Sequence, residues 1–305
     1  MILKMEEGVK KLTPLMSAQK VVIFVGSGIS VAAGLPTWDE LLDKYLLFCK
    51  ELQDLLDPDE RFDLLITDAE KNIQKHPTRV ASVLKSKLIE LEKTKQKNIY
   101  RAFQTWLVET LKAESPHENH RLIVSTNYQH ILTSNYDVLL EEAAKLENYK
   151  SLALLNTYTY KDADKVAAAI YQRNTSIIHV HGDMHDISLD DIVFTAEDYV
   201  KIKRNYPGFT LALQSLFLTN TVLFIGYGGS DPHFEDFLED ISYSLNWAIN
   251  DNLPKTYLVL REDKVDQVLD RYKKKLRTDI ISLENYDQTT KFLALLKEIS
   301  PRPHS

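Results

Sequence analysis

The sequence predicts an α/β fold: a Rossmann-like parallel sheet with helices on both faces and a smaller helical insertion subdomain. Short apolar, often β-branched runs alternate with helical stretches through the second half of the chain. One long early stretch carries helical periodicity alone. Glycine-rich or polar residues directly follow several strand-like runs, at the ends where α/β sheets bind ligands.

The elements follow in order. Residues 5–18 read as a leading amphipathic helix, and VVIFV at 21–25 as a buried strand running into the turn at Gly26-Ser27-Gly28. From Trp38 to about residue 114 the apolar positions keep i, i+3, i+4 spacing, as in Leu41, Leu42, Tyr45, Leu46 and Cys49. Pro58 and Pro77 mark loops there, Cys49 reads as a core residue, and the lysine-rich segment 85–97 as a solvated face. The expected organisation is one domain over 1–305, with the insertion at 38–114 and the core built from 20–37 and 115–300. Strands are then expected at Ile131–Ser134, Ser151–Leu155, Ser176–Val180, Val222–Ile225, Tyr257–Leu260 and Ile280–Leu283. Helices are expected at Val138–Leu146, Ala163–Tyr171, 196–204, 208–219, His233–Trp247, Asp263–Lys275 and Thr289–Ile299.

Charge and composition narrow the function classes. A net charge of -7 does not attract a phosphate backbone, so nucleic acid is not an expected direct partner. A single cysteine excludes an internal disulfide and a cysteine-based zinc site. No apolar run approaches the ~18 residues of a membrane helix, and MILKMEEGVKKL does not read as a signal peptide. The expected location is the cytoplasm, without membrane contact.

The motifs at the strand ends carry the chemistry. In FVGSGISVAAG, 24–34, Gly26 and Gly28 allow close backbone approach to a pyrophosphate, and Ser27 and Ser30 add hydroxyls. A plain strand-to-helix turn would look similar. In TSNYD, 133–137, Asn135 and Asp137 suit an amide, a sugar hydroxyl or a water, and equally suit capping of the next helix. In IIHVHGDMHD, 177–186, His179 and His181 share a face if the strand continues that far, and a strand-end histidine suits a general base. Its H-x-H-x-D-x-H spacing lies one residue from the metal cluster of metallo-β-lactamase-like hydrolases. Only His233 and His304 remain downstream, however, and the glycine loop would go unexplained, so no metal is expected and His179 is placed beneath the site. In FIGYGGSDPHF, 224–234, Ser230 or Asp231 caps a helix, and the glycines from Gly226 onward present amides to a ligand.

In this order the motifs resemble those of the sirtuin family. VGSGIS is similar to its NAD loop, TSNYD to its asparagine–aspartate motif, His181-Gly182 to its catalytic pair, and Gly226 to Ser230 to its late glycine–serine loop. Two departures stand out: the four-cysteine zinc module is missing, and Pro36-Thr37-Trp38-Asp39 replaces proline–aspartate–phenylalanine–arginine. FTAEDYVKI and GYGGSDPHF look like the zinc-free bacterial branch, whose members hydrolyse NAD in anti-phage defence. The resemblance implies NAD as substrate, bound through Gly26, Ser27, Gly28 and Ser30 at the pyrophosphate and through Gly226 and Ser230 at the adenosine side. It further implies that Asp137 anchors the nicotinamide amide or ribose, that Asn135 positions a water and that His181 takes a proton. It also implies gating by a homo-oligomer or by a partner such as a HerA-like ATPase or an argonaute-like protein. A non-catalytic NAD-metabolite binding module and a protein ADP-ribosyltransferase or deacylase are the alternative readings.

Overall fold

A computed structural model describes residues 1–95, 98–147, 155–184, 193, 195–228, 232–245, 253–266, 268–269 and 277–302. The described strands are β1 (Ile2–Lys4), β2 (Val21–Val25), β3 (Ile131–Thr133), β4 (Asn156–Thr159), β5 (Ser176–His179), β6 (Thr221–Ile225), β7 (Thr256–Arg261) and β8 (Thr278–Leu283). They form one eight-stranded sheet in the order β1-β8-β7-β6-β2-β3-β5-β4, with every neighbouring pair parallel. The expected Rossmann-like α/β architecture is what the chain adopts.

The run VVIFV is apolar throughout because both faces of its strand are covered. Val21, Ile23 and Val25 point into one core layer, packed against α1 (Met5–Ser17) and the last helix, Asp287–Ile299. Val22 and Phe24 point into the other layer, with Phe209, Leu213, Leu216 and Phe217. β2 is also the switch point of the sheet: the chain leaves it for β3 on one side and returns to β6 on the other, which opens a crevice at their carboxyl ends. The register sharpens this. Val25 lies level with both Ile225 and Thr133, and Thr133 with His179, so the loops after β2, β3, β5 and β6 start at one height.

Four helices follow the first loop: α2 (Trp38–Asp54), α3 (Asp63–Asn72), α4 (Pro77–Lys95) and α5 (Ile99–Thr110). They share a separate apolar cluster that includes the buried Cys49. α2 starts at a capping box in which Thr37 Oγ1 accepts from the Glu40 amide and the Glu40 carboxylate accepts from the Thr37 amide at 2.8 Å. Further on lie α6 (Glu118–Val124), α7 (Leu139–Leu146), α8 (Ala163–Gln172), α9 (Ala196–Asn205), α10 (Pro207–Thr219), α11 (Pro232–Leu245) and α12 (Asp287–Ile299).

Several expectations change. β1 and α6 were not read from the sequence: three residues are too few to show alternation, and α6 has only two turns. The strand expected at Ser151–Leu155 falls mostly outside the described residues, and β4 begins after it, at Asn156. The helix expected at Asp263–Lys275 is helical at 262–266 and 268–269, and its remainder falls outside them. β5 stops at His179, so His179 and His181 do not share a strand face. Lys85, placed on the solvated face of 85–97, is instead buried, with its ammonium 2.6 Å from Asp198 of α9. Periodicity along α4 could not show a partner 113 residues away.

That ion pair ties the helical cluster to the sheet layer. Removing one partner of a buried pair typically costs several kcal/mol, because the other charge is left desolvated. Lys85→Ala is therefore expected to destabilise the chain by about 3 kcal/mol, read as a lower urea midpoint; a midpoint within experimental scatter of wild type would show that Asp198 is satisfied without it.

Candidate active site

The four loops that start level close on one cavity. It is lined by Ser27 after β2, by Asn135, Tyr136 and Asp137 after β3, by His181 after β5 and by Gly226 after β6. Leu35, Trp38, Leu41 and Leu111 wall it from the side of the helical cluster. Ser230 lies outside the described residues, as do His185 and Asp231.

The loops after β2 and β6 touch through backbone. The Gly28 amide donates to the Gly226 carbonyl at 3.0 Å, and the Gly26 amide to the Ile225 carbonyl at 2.9 Å. A Cβ on Gly26 would stand 2.6 Å from the Gly226 oxygen, and one on Gly28 would stand 2.8 Å from it. Gly226 itself has φ +66°, and a Cβ there would meet the Ile29 amide nitrogen at 2.7 Å. The glycines are thus required by loop-on-loop contact, whatever ligand lies above them.

Ser30 does not line the cavity but sits beneath it, 1% exposed. Its Oγ donates to Asp137 Oδ2 at 2.9 Å. A hydroxyl has one proton, so its other contacts must donate to it: Asn135 Nδ2 at 3.1 Å and His120 Nε2 at 3.2 Å. Burial lowers the His120 pKa to about 4, so the ring is neutral with its proton on Nε2. Burial likewise raises the Asp137 pKa, opposed by the hydrogen bonds from Ser30 and from the Leu139 amide. Asp137 Oδ1 accepts from that amide at 3.2 Å, so the aspartate both supports α7 and holds Ser30. The network orients the Asn135 amide. Its nitrogen faces Ser30, and its oxygen is buried with no hydrogen-bond partner among the described residues, in a side chain that lines the cavity.

His181 is 3% exposed and sits in the turn after β5, just before Gly182 at φ +81°. Its Nε2 shares a short hydrogen bond with the Tyr199 hydroxyl, and the two rings meet edge-on. Tyr199 is placed by the residue before it. Asp198 Oδ2 accepts from the Thr195 amide and hydroxyl, while its Oδ1 holds Lys85. Tyr136 stands between Trp38 and His181, with centroids 6.4 and 6.5 Å away, and is tied by its hydroxyl to the Val193 carbonyl at 2.8 Å. Below the cavity His179 is completely buried, contacting the Asn135 carbonyl and Glu141. Among the described residues no group of three or more His, Cys, Asp or Glu is placed to hold a metal ion.

Asn135, Asp137, His181, Ser27 and Gly226 therefore converge as the motifs implied. His120, Glu141, Tyr136 and Tyr199 were not singled out. Tyr136 lies inside the TSNYD motif, and Tyr199 follows the helix-start signal Thr195-x-x-Asp198. His120 and Glu141 leave no local signal, because only tertiary contact gives them partners.

Fold and cavity define the class: a Rossmann-like α/β protein whose ligand crevice lies at the switch point between the loops after β2, β3 and β6. The chain belongs to the SIR2-like domain family, whose model matches residues 129–281. It is similar to the NAD(+) hydrolase ThsA of Enterococcus faecium, 27% identical over 256 residues, which cover 83% of this chain and 46% of the relative. It is also similar to defense-associated sirtuin 2 of Bacillus subtilis, 26% identical over 247 residues, 79% of this chain and 20% of that one. A NAD(+) hydrolase ThsA from Bacillus cereus is 25% identical over 233 residues, 76% of this chain and 42% of the relative. The chain thus spans less than half the length of each of these relatives.

The glycine contact makes a stability prediction. Gly26→Ala should lower the urea midpoint by an amount equivalent to about 1–3 kcal/mol, the usual cost of overpacking. An alanine variant as stable as wild type would mean that the two loops separate freely.

Proposed function

We propose that this chain is an NAD hydrolase that cleaves the bond between nicotinamide and ribose, yielding nicotinamide and ADP-ribose, and that it serves in anti-phage defence. The observation that carries the reading is the Asn135 carboxamide oxygen, buried without a hydrogen-bond partner among the described residues, in a side chain that lines a cavity shared with His181. A buried acceptor left open costs free energy, and a bound water or substrate hydroxyl would recover it. The curated relatives named NAD(+) hydrolases support the substrate.

In this reading Ser27 contacts the diphosphate, Gly226 and Ser230 contact the adenosine side, and Gly26 and Gly28, whose amides are bonded to the Ile225 and Gly226 carbonyls, let the two loops meet beneath the ligand. Asp137 anchors the nicotinamide amide or ribose and, with Ser30, holds Asn135. As the C–N bond breaks, its electron pair leaves with nicotinamide and positive charge develops on the ribose. Asn135 Oδ1 accepts a hydrogen bond from a water and aims its oxygen at the anomeric carbon. His181 takes the proton released when that water adds, with its ring held by Tyr199. Trp38 and Tyr136 cover the site and limit access of other water.

Residues 38–114 form the insertion subdomain that roofs the cavity, within one domain over 1–305. An ungated NAD hydrolase would drain its own cell. We therefore propose cytoplasmic action held in check by self-assembly or by a partner protein such as a HerA-like ATPase or an argonaute-like protein. No described helix is long and apolar enough to cross a membrane.

The test is NAD turnover by the purified chain, followed by chromatography of nicotinamide and ADP-ribose. His181→Ala is expected to lower kcat by about 10²–10⁴-fold, the usual contribution of a general base. Asn135→Ala is expected to lose about 10²-fold or more, the scale set by a mispositioned reactant. Both variants should keep the wild-type far-UV circular dichroism and a single cooperative thermal transition, at a midpoint lowered by the loss of one buried hydrogen bond. Full turnover in either one removes that residue from the mechanism; full turnover in both would falsify the site.

A further inference from the structure

We infer that the buried pair Glu141 and His179 is a positioning device for Asn135, in which a doubly protonated imidazole ring clamps the Asn135 backbone carbonyl beneath the cavity. This rests on the hydrolase reading, in which Asn135 aims the attacking water.

The contacts require the ring's charge. His179 is the last residue of β5 and 0% exposed. Its Nδ1 lies 2.9 Å from the Asn135 carbonyl oxygen, and its Nε2 2.8 Å from Glu141 Oε1. A carbonyl and a carboxylate accept but do not donate, so each ring nitrogen needs a hydrogen. A neutral imidazole has only one. The ring is therefore an imidazolium, balanced by the Glu141 carboxylate, which also accepts from Thr157 Oγ1 of β4 at 3.2 Å. The electrostatics agree. Burial disfavours the cation, but the charge and hydrogen bond of Glu141, the Asn135 carbonyl and the charge of Asp183 outweigh it and raise His179 to about 9. In turn His179, together with hydrogen bonds, holds the Glu141 carboxyl low against burial. Asp137, on the loop that leads to α7, also feels the cation, which favours its ionised form. The charged groups facing the ring are thus Glu141 from α7, Asp183 from the loop after β5 and Asp137 from the loop after β3.

The geometry locates the effect. Asn135 is held at three points: its amide donates to Thr133 Oγ1 at 3.0 Å, its carbonyl accepts from His179, and its side-chain nitrogen donates to Ser30. The first and third would persist with any small residue at position 179. The second requires a donor exactly where the ring stands and fixes the peptide that carries the side chain. A buried ion pair adds little stability over an apolar pair of the same volume. Its retention here is accounted for by the position it imposes.

The sign of the pH effect follows. The folded-state pKa lies above the ordinary histidine value of 6.5, so the clamp is complete below that value and is lost as pH rises through about 9. Glu141→Gln keeps the shape and removes the balancing charge, so the ring should lose its second proton near neutrality.

The experiment uses the full chain with ¹⁵N-labelled histidine. Two-bond ring spectra at pH 7.5 should show His179 with both nitrogens protonated, and Glu141→Gln should convert it to a neutral ring. With NAD as substrate, Glu141→Gln should lower kcat by about 10–100-fold with little change in KM, the signature of misplacement rather than lost binding. The alkaline limb of kcat, near pH 9 in wild type, should move down by about one unit or more in that variant. Glu141→Asp, which restores the charge, should recover part of the rate. A neutral His179 in the wild-type spectrum overturns the inference, and so does a Glu141→Gln variant with wild-type kcat and pH profile. Absence of NAD turnover by the isolated wild type would bear on the hydrolase reading and its gating and not on the clamp, which the ring spectrum and the shift of the Asn135 side-chain amide signal in Glu141→Gln would still decide.

Discussion

Two strand-end loops lie backbone on backbone at the centre of this molecule, and the rest of the site is arranged around that contact. The Gly28 amide reaches the Gly226 carbonyl because no side chain stands between them, and a Cβ on Gly26, Gly28 or Gly226 would close the gap. β2 and β6 run in register over their whole length, so this contact prolongs the ladder by one rung and brings both loops out at the level of Thr133 and His179. Beside these two loops lies the cavity, lined by Ser27 and Gly226 together with Asn135, Asp137 and His181.

Burial turns a set of ordinary polar residues into an oriented one. Ser30, Asp137, His120 and His179 are all nearly inaccessible, so most of their donors and acceptors are matched within the protein, His120 Nδ1 being an exception among the described residues. The matching has little freedom. Asp137 takes the proton of Ser30, Ser30 therefore accepts from Asn135 and His120, and the Asn135 oxygen and His120 Nδ1 are left without partners among the described residues. On the other side of that residue the Glu141–His179 pair secures the peptide. The proposed chemistry follows from the Asn135 oxygen: an acceptor with no partner among the described residues, in a side chain of the cavity wall that also holds an imidazole.

The helical cluster contributes closure. Trp38 begins α2 directly after the Thr37 cap, so the signal that starts the helix also places an indole at the cavity. The Lys85–Asp198 pair joins α4 to the first turn of α9, and the residue after Asp198 is Tyr199, which holds His181. The roof and the general-base candidate are thus coupled through one buried ion pair, so displacement of α4 would be felt at His181.

By itself the sequence determined the layered α/β architecture, the helical character of 38–114, the burial of Cys49 and the strand-end positions of Asn135, Asp137, His181 and Gly226. These follow from periodicity and from glycine or cap chemistry, which act over a few residues and leave a local trace. Strand order, the level alignment of the four loops, the interior place of Ser30 and the burial of Lys85 were decided only by the tertiary structure. So were the roles of His120 and Glu141. Ser30 reads locally as a phosphate-loop hydroxyl, and only Asp137, 107 residues further on, draws it inside. His179 and His181 stand two residues apart and look alike in sequence, yet the strand ends between them. One ring is sealed beneath the sheet end with a carboxylate, and the other lies in the cavity wall against a tyrosine. The physical reason is the same in each case: a buried polar group takes its identity from partners that folding supplies, and those partners are distant in the chain.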